Sequence, residues 1–141
     1  MRVEKSFEVS RNRDEVVERL CSDETLLELL PGESEIVESD GDHRTVRTHY
    51  QALGREGVAT FDFTFLMDGN IRFQKRCDGR VWRELSGEVA IEERRNGAQL
   101  NIQMSGRTKP LIPEFTIKQP MEEQVEQMAS ALRELLGPKA D

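Results

Sequence analysis

Histidine, cysteine, tryptophan and tyrosine are all scarce in this chain, at two, two, one and one of 141 residues. His43 and His49 fall six residues apart in one alternating segment. An extended backbone separates such a pair by roughly 20 Å, too far to share a metal ion. Cys21 and Cys77 form no CxxC pair, so a zinc ribbon and a dithiol redox motif are both excluded and reduced thiols are expected. There is no long apolar run, hence no expected transmembrane helix. The opening stretch, Met1-Arg2-Val3-Glu4-Lys5-Ser6, lacks the basic start, apolar core and cleavage site of a leader, which makes the cytoplasm the expected location. Cations are also in deficit, 20 Lys and Arg against 27 Asp and Glu, for a net charge of −7. Phosphate-binding surfaces need clustered bases, and the small groups here, Arg94-Arg95 and Arg11 to Arg13, have acidic neighbours. Nucleic acid is therefore not an expected partner.

Catalytic signatures are missing as well. Ser86-Gly87 and Ser105-Gly106 lack the GxSxG elbow, and no glycine-rich loop precedes a helix with a phosphate-binding lysine. The sequence calls for no cofactor and no metal. An enzyme built on this chain would have to work by shaping its substrate, with an acid or base that the sequence does not single out.

What the chain has in quantity is alternation punctuated by turns. Asp40-Gly41, Asp68-Gly69, Asp78-Gly79 and Asn96-Gly97 each supply residues that tolerate positive φ, as tight hairpins require. Gly54 to Gly57 marks a looser turn. Between the turns, Ala59, Phe61, Phe63, Phe65 and Met67 share one face while Thr60, Asp62 and Thr64 share the other; Ala98, Leu100, Ile102 and Met104 likewise oppose Gln99, Asn101 and Gln103. One dry and one wet face per strand is the pattern of an antiparallel meander covered on a single side. Strands are expected at about 33–39, 43–53, 58–67, 70–77, 80–94 and 98–107, with a further N-terminal strand carrying Val3, Phe7 and Val9.

Three helices are expected. Asn12-Arg13-Asp14-Glu15 is a capping box leading into Val16, Val17, Leu20 and Cys21. Asp23-Glu24-Thr25 precedes Leu26, Leu27, Leu29 and Leu30, stopped by Pro31-Gly32. At the far end Met121, Val125, Met128, Leu132 and Leu135 repeat at helical spacing, with Pro120 at the first helical position and Gly137-Pro138 at the stop. Ile117 continues the spacing backwards, which would start the helix near Pro113 and kink it at Pro120.

The order strand, two short helices, six strands, long helix resembles the START-like helix-grip superfamily, also called SRPBCC, over essentially the whole chain. The resemblance rests on Val3 to Val9 followed by the capped helix Asp14 to Leu20, on Leu29-Leu30-Pro31-Gly32, on Gly87-Glu88-Val89-Ala90-Ile91 followed by Gly97, and on Leu132-Arg133-Glu134-Leu135-Leu136. The superfamily includes polyketide cyclases, pollen allergens, lipid-transfer domains and carbon monoxide dehydrogenase G-like proteins. It implies a single α+β domain with a curved antiparallel sheet of about seven strands around the C-terminal helix, and a hydrophobic cavity. Members range from carriers to enzymes to chaperone regulators, so fold alone does not choose among these.

A cavity also follows from dimensions. Six or seven strands at ~4.8 Å spacing make a sheet roughly 30 Å wide, whereas one helix is about 10–12 Å across. The sheet must curl, leaving apolar wall over a gap. The expected lining is Phe61, Phe63, Phe65 and Phe73 on one wall, Leu85 and Met104 on the next, and Met121, Val125 and Met128 on the helix, with Phe115 just ahead of it. The bland alternative is that these side chains simply fill the gap as core. Tyr50 and Trp82 join apolar bodies to polar tips suited to orienting a ligand. Three cations sit in phase with inward neighbours: Lys5, Lys75 and Arg83. A bulge at Ser86-Gly87 would instead turn Trp82 and Glu84 inward. If Glu84 faces outward, an inward Lys75 or Arg83 favours an amphipath with an acidic head. The expected function is binding of a hydrophobic or amphipathic small molecule, with a protein-binding accessory module second and a cyclase-like enzyme third.

Overall fold

The computed structural model describes residues 1–30, 32–52, 55–77 and 82–137, with the side chains of 50–52 and 55 outside that description. Among the described residues, seven strands form one antiparallel sheet: β1 (Arg2–Val9), β2 (Glu33–Asp40), β3 (His43–Ala52), β4 (Arg55–Phe65), β5 (Ile71–Lys75), β6 (Trp82–Arg94) and β7 (Gly97–Thr108). Their spatial order is β1-β7-β6-β5-β4-β3-β2, so only the β1–β7 pairing joins strands distant in sequence. Helices α1 (Arg13–Leu20) and α2 (Asp23–Leu29) bridge β1 and β2, and α3 (Lys118–Leu136) closes the chain.

The described turns fall near the expected dipeptides, but the two-residue loops are shifted by one position, to Gly41-Asp42 and Arg95-Asn96, because Asp40 and Gly97 still pair in the ladder. Gly41 and Gly69 sit at φ +56° and +91° in the β2–β3 and β4–β5 connections, and Arg95-Asn96 form the two-residue loop ahead of Gly97. Asp78-Gly79 lies outside the described residues. The β4–β5 turn starts earlier than expected: β4 ends at Phe65, and Met67 stands fully exposed in the turn rather than on the inner face.

Both short helices are capped by side chains. The Glu15 amide donates to Asn12 Oδ1 at 2.9 Å and Asn12 Nδ2 donates to Glu15 Oε1 at 3.1 Å, while the Thr25 amide donates to Ser22 Oγ at 3.3 Å. Such caps satisfy amides that the first helical turn leaves orphaned. α3 does not extend back to Pro113. A 3-10 turn (Glu114–Thr116) precedes it, and Pro120 falls within the first turn, where its missing N–H breaks no bond. Met121, Val125, Met128, Ala129, Leu132 and Leu136 form the buried stripe of α3, so Leu136 takes the last inward place ahead of Leu135.

α3 packs against β1, β7 and α2, and α1 packs against β6 and β7. The inner side chains of the sheet, the helix stripe and Leu20, Leu26 and Leu29 form one hydrophobic cluster. Two inner-face glycines make room for rings. A Cβ on Gly87 would run into the Phe73 ring and come within 2.5 Å of the Gln103 carbonyl oxygen; one on Gly106 would lie 2.5 Å from Trp82 Cζ3 and 3.0 Å from Leu85 Cδ1.

Candidate functional site

The concave face has two unlike ends. Where β1 runs into α1, Phe63, Ile71, Val89, Leu100 and Ile102 are each 0% exposed, and Leu20 and Leu26 close over that end. Where β6 begins and β7 ends, Phe61 and Thr108 are 9% exposed and Leu85 7%, while Trp82, Lys75 and Cys77 are only half-buried. An apolar molecule can enter only where the inner face already meets solvent, so the second end is the candidate site.

Its wall is built strand by strand. Phe61 and Phe63 alternate inward along β4, their ring centroids 6.4 Å apart, and Phe73 on β5 continues the row at 5.6 Å from Phe63. Leu85 and Trp82 follow on β6, then Met104 and Gly106 on β7. The first half of α3 lies over this end: Glu114, just ahead of the helix, approaches the Met1 ammonium at 3.5 Å, Glu126 meets Lys5 at 2.9 Å, and Arg133 reaches the Phe7 ring at 4.9 Å further along. Met121 and Val125 therefore belong to the open end, and Met128 to the middle of the core.

A bulge decides the orientation of β6, but not at Ser86-Gly87. The register shifts between Trp82 and Glu84, with Trp82 opposite Thr108 and Glu84 opposite Arg107, so Arg83 is the extra residue. Trp82 joins Leu85 on the inner face. Glu84 points outward to Arg107 at 3.3 Å, and Arg83 is exposed. The expectation of an inward Arg83 or an inward Glu84 is corrected on both counts, because the bulge consumes one residue of alternation.

The structure brings together Phe61, Phe63, Phe73, Leu85, Met104, Met121, Val125 and Met128 as buried members of one cluster, with Phe65 and Trp82 packed against it. Phe115 stands 77% exposed in the 3-10 turn, away from the inner face, because that turn is not part of the α3 stripe. The Tyr50 side chain lies outside the described residues; its backbone pairs with Gly57. Sequence reasoning missed Thr48 and Thr108, both buried. Ser34 Oγ donates to Thr48 Oγ1 at 3.0 Å, and Thr108 donates to the Ile112 carbonyl at 2.6 Å. Their even spacing with Val46 and Met104 was the available signal. It also missed the packing role of Gly87 and Gly106, for which a glycine in mid-strand was the only mark.

Titratable groups gather elsewhere. Arg76 donates to both oxygens of Asp62 at 2.8 and 2.9 Å, Thr45 Oγ1 donates at 2.9 Å, and His43 Nε2 lies 3.3 Å away. The Arg76 hydrogen bond holds the Asp62 carboxyl below the usual carboxylate range, partial burial opposing it and Thr45 and His43 assisting. This network lies on the outer face, in a groove of about 510 Å³. Its carboxylate is already saturated by its own neighbours. Glu126 is likewise held below the usual range by the Lys5 hydrogen bond, on the exposed flank of α3. Neither supplies an acid or base to the concave face. Neither Cys21 nor Cys77 forms a disulfide, and no metal-binding cluster occurs among the described residues. No helix among them is long and apolar enough to cross a membrane.

No family model and no curated protein matches the sequence. Solved structures do match the fold. A START superfamily protein from Mycobacterium smegmatis is 16% identical over 96% of each chain with a TM-score of 0.74. The Zhui aromatase/cyclase from Streptomyces sp. R1128 is 20% identical over 97% of this chain and 92% of its own, also at 0.74. A STAR-related lipid transfer protein from Xanthomonas axonopodis is 18% identical over 96% of this chain and 85% of its own, at 0.63. These likenesses do not separate the superfamily's branches, so the carbon monoxide dehydrogenase G-like branch remains an expectation of the sequence alone. They agree with the strand order, the paired short helices and the closing helix: the chain has the START-like helix-grip fold.

Proposed function

We propose that this protein binds a hydrophobic or amphipathic small molecule at the open end of its concave face, between the aromatic wall of β4 and β5 and the first half of α3. The observation that carries this reading is the contrast in burial along one continuous apolar face, sealed from Phe63 and Ile71 through Val89 to Leu100 and meeting solvent around Phe61, Leu85 and Trp82. Similar structures titled as a lipid transfer protein and an aromatase/cyclase support the ligand class. Carriage is favoured over catalysis because the acids held out of their usual range lie off the concave face.

Trp82 is the sole tryptophan and stands at the proposed entrance, so it reports occupancy directly. Titration with an apolar fluorescent probe is expected to shift or quench Trp82 emission, and native mass spectrometry of protein purified without detergent is expected to show a retained small molecule. Failure of every apolar probe to bind overturns the proposal. A second reading, a protein-binding module, is favoured by Leu111 and Phe115, 95% and 77% exposed between β7 and α3. It predicts that a Leu111→Ser, Phe115→Ser double variant loses a partner while keeping probe affinity unchanged.

A further inference from the structure

Three cations of the described residues project from the inner face, and two have carboxylate partners. Lys5 Nζ meets Glu126 at 2.9 Å, and Arg44 Nε meets Asp23 at 3.0 Å while its guanidinium lies over the Phe65 ring. The third, Lys75, has none. It pairs across the ladder with Phe61 and follows Phe73 by two residues, so its side chain leaves from the aromatic wall itself. Among the described residues its ammonium has neither an ion pair nor a hydrogen bond, and no side-chain nitrogen of theirs is both buried and unpaired, so this group still touches solvent.

Water satisfies that ammonium while the site is empty. A ligand seated against Phe61 at the solvent-facing end would displace that water, and stripping an ammonium without replacing its partner is costly. A wholly apolar ligand is thus penalised where it reaches Lys75, and one whose acidic group lands there is favoured, a selection made by the cost of the wrong partner. Among the described residues, Glu84 on the neighbouring stretch of β6 is turned away, facing outward to Arg107. Arg83, exposed at the bulge, adds no second cation. A single ammonium without an arginine fork suits a monoanionic carboxylate.

From this arrangement, and resting on the concave-face reading above, we infer that Lys75 receives the carboxylate head of an acidic amphipath whose apolar body lies along Phe61 and Phe73 towards Met104 and Met121. The test compares dodecanoic acid, methyl dodecanoate and dodecanol by Trp82 fluorescence and calorimetry. The parent is expected to bind the acid about 10-fold more tightly than the ester or the alcohol, the scale of one charge-assisted hydrogen bond. Lys75→Met should lose that preference with ester affinity retained, Lys75→Arg should keep it, and Arg83→Met on the outer face should leave all three affinities unchanged. Within the parent, the preference should vanish as pH falls through the ligand's own carboxyl pKa, a readout that needs no variant to fold. Equal affinities for acid and ester in the parent, or an acid preference that survives Lys75→Met, overturn the assignment to Lys75 and leave the apolar site standing. Failure of all three compounds to bind overturns both readings together.

Discussion

Phe61 and Phe63 are two residues apart on one strand, point to the same face and belong to the same cluster, yet Phe63 is sealed and Phe61 is 9% exposed. The difference between them is the difference between the two ends of the molecule. At the α1 end, α1 packs on β6 and β7, α2 on β2 and α3, and α3 on β1 and β7, and the central inner side chains Phe63, Ile71, Val89 and Leu100 are fully sealed. At the other end the same sheet continues past the short helices, and α3 approaches from the β1 edge alone. An apolar surface kept partly open is costly to a fold, which is why its position within the sheet points to function.

The comparison is broken or sharpened most directly by truncating that pair. Phe63→Ala should cost about 3–5 kcal/mol in denaturant unfolding, and Phe61→Ala clearly less, because a site already open loses fewer contacts. Equal costs would mean that both ends are packed alike. The glycines come next. Gly87→Ala forces a methyl onto a backbone carbonyl as well as the Phe73 ring and should destabilise by about 1–3 kcal/mol. Gly106→Ala meets the Trp82 and Leu85 side chains first, and these can swing towards the open end, so its cost should be lower and its main effect a changed Trp82 emission. The smallest effect belongs to the outer face. Asp62 has a lowered folded-state carboxyl pKa, so its contribution is fully present above the unfolded value and is lost as pH falls through the lower folded one. The stability gap between the parent and Asp62→Asn should therefore be level at neutral pH and narrow in acid. A gap independent of pH would show that the Arg76 pair adds no stability to the sheet.

Much of the fold was legible because its determinants are local. Strand alternation, the Asp-Gly turns and the Asn12 and Ser22 caps act within a few residues, and β2 to β7 pair only with neighbours in sequence, β7 taking β1 as well. The aromatic wall was legible for the same reason: Phe61, Phe63 and Phe73 keep strict phase. What escaped was whatever depended on distant contacts or on a break in phase. The bulge at Arg83 is set by pairing with β7, not by any signal in Trp82-Arg83-Glu84. Gly87 and Gly106 look like strand weaknesses until the rings above them are known. Lys5, Lys75 and Arg83 look equivalent as sequence. A carboxylate on α3, more than a hundred residues away, distinguishes the first, and the bulge distinguishes the last.

That bulge makes β6 tolerant of a change in length that strands usually resist. Removing Arg83 would join Trp82 directly to Glu84, and regular alternation from Leu85 would still place the indole indoors. Inserting a residue beside Arg83 would lengthen the loop-out without disturbing either flank, whereas an insertion between Leu85 and Gly87 would turn half the strand inside out. A shortened chain that keeps the parent's tryptophan emission maximum would identify this point as the joint at which the family of sequences sharing this fold can gain or lose a residue.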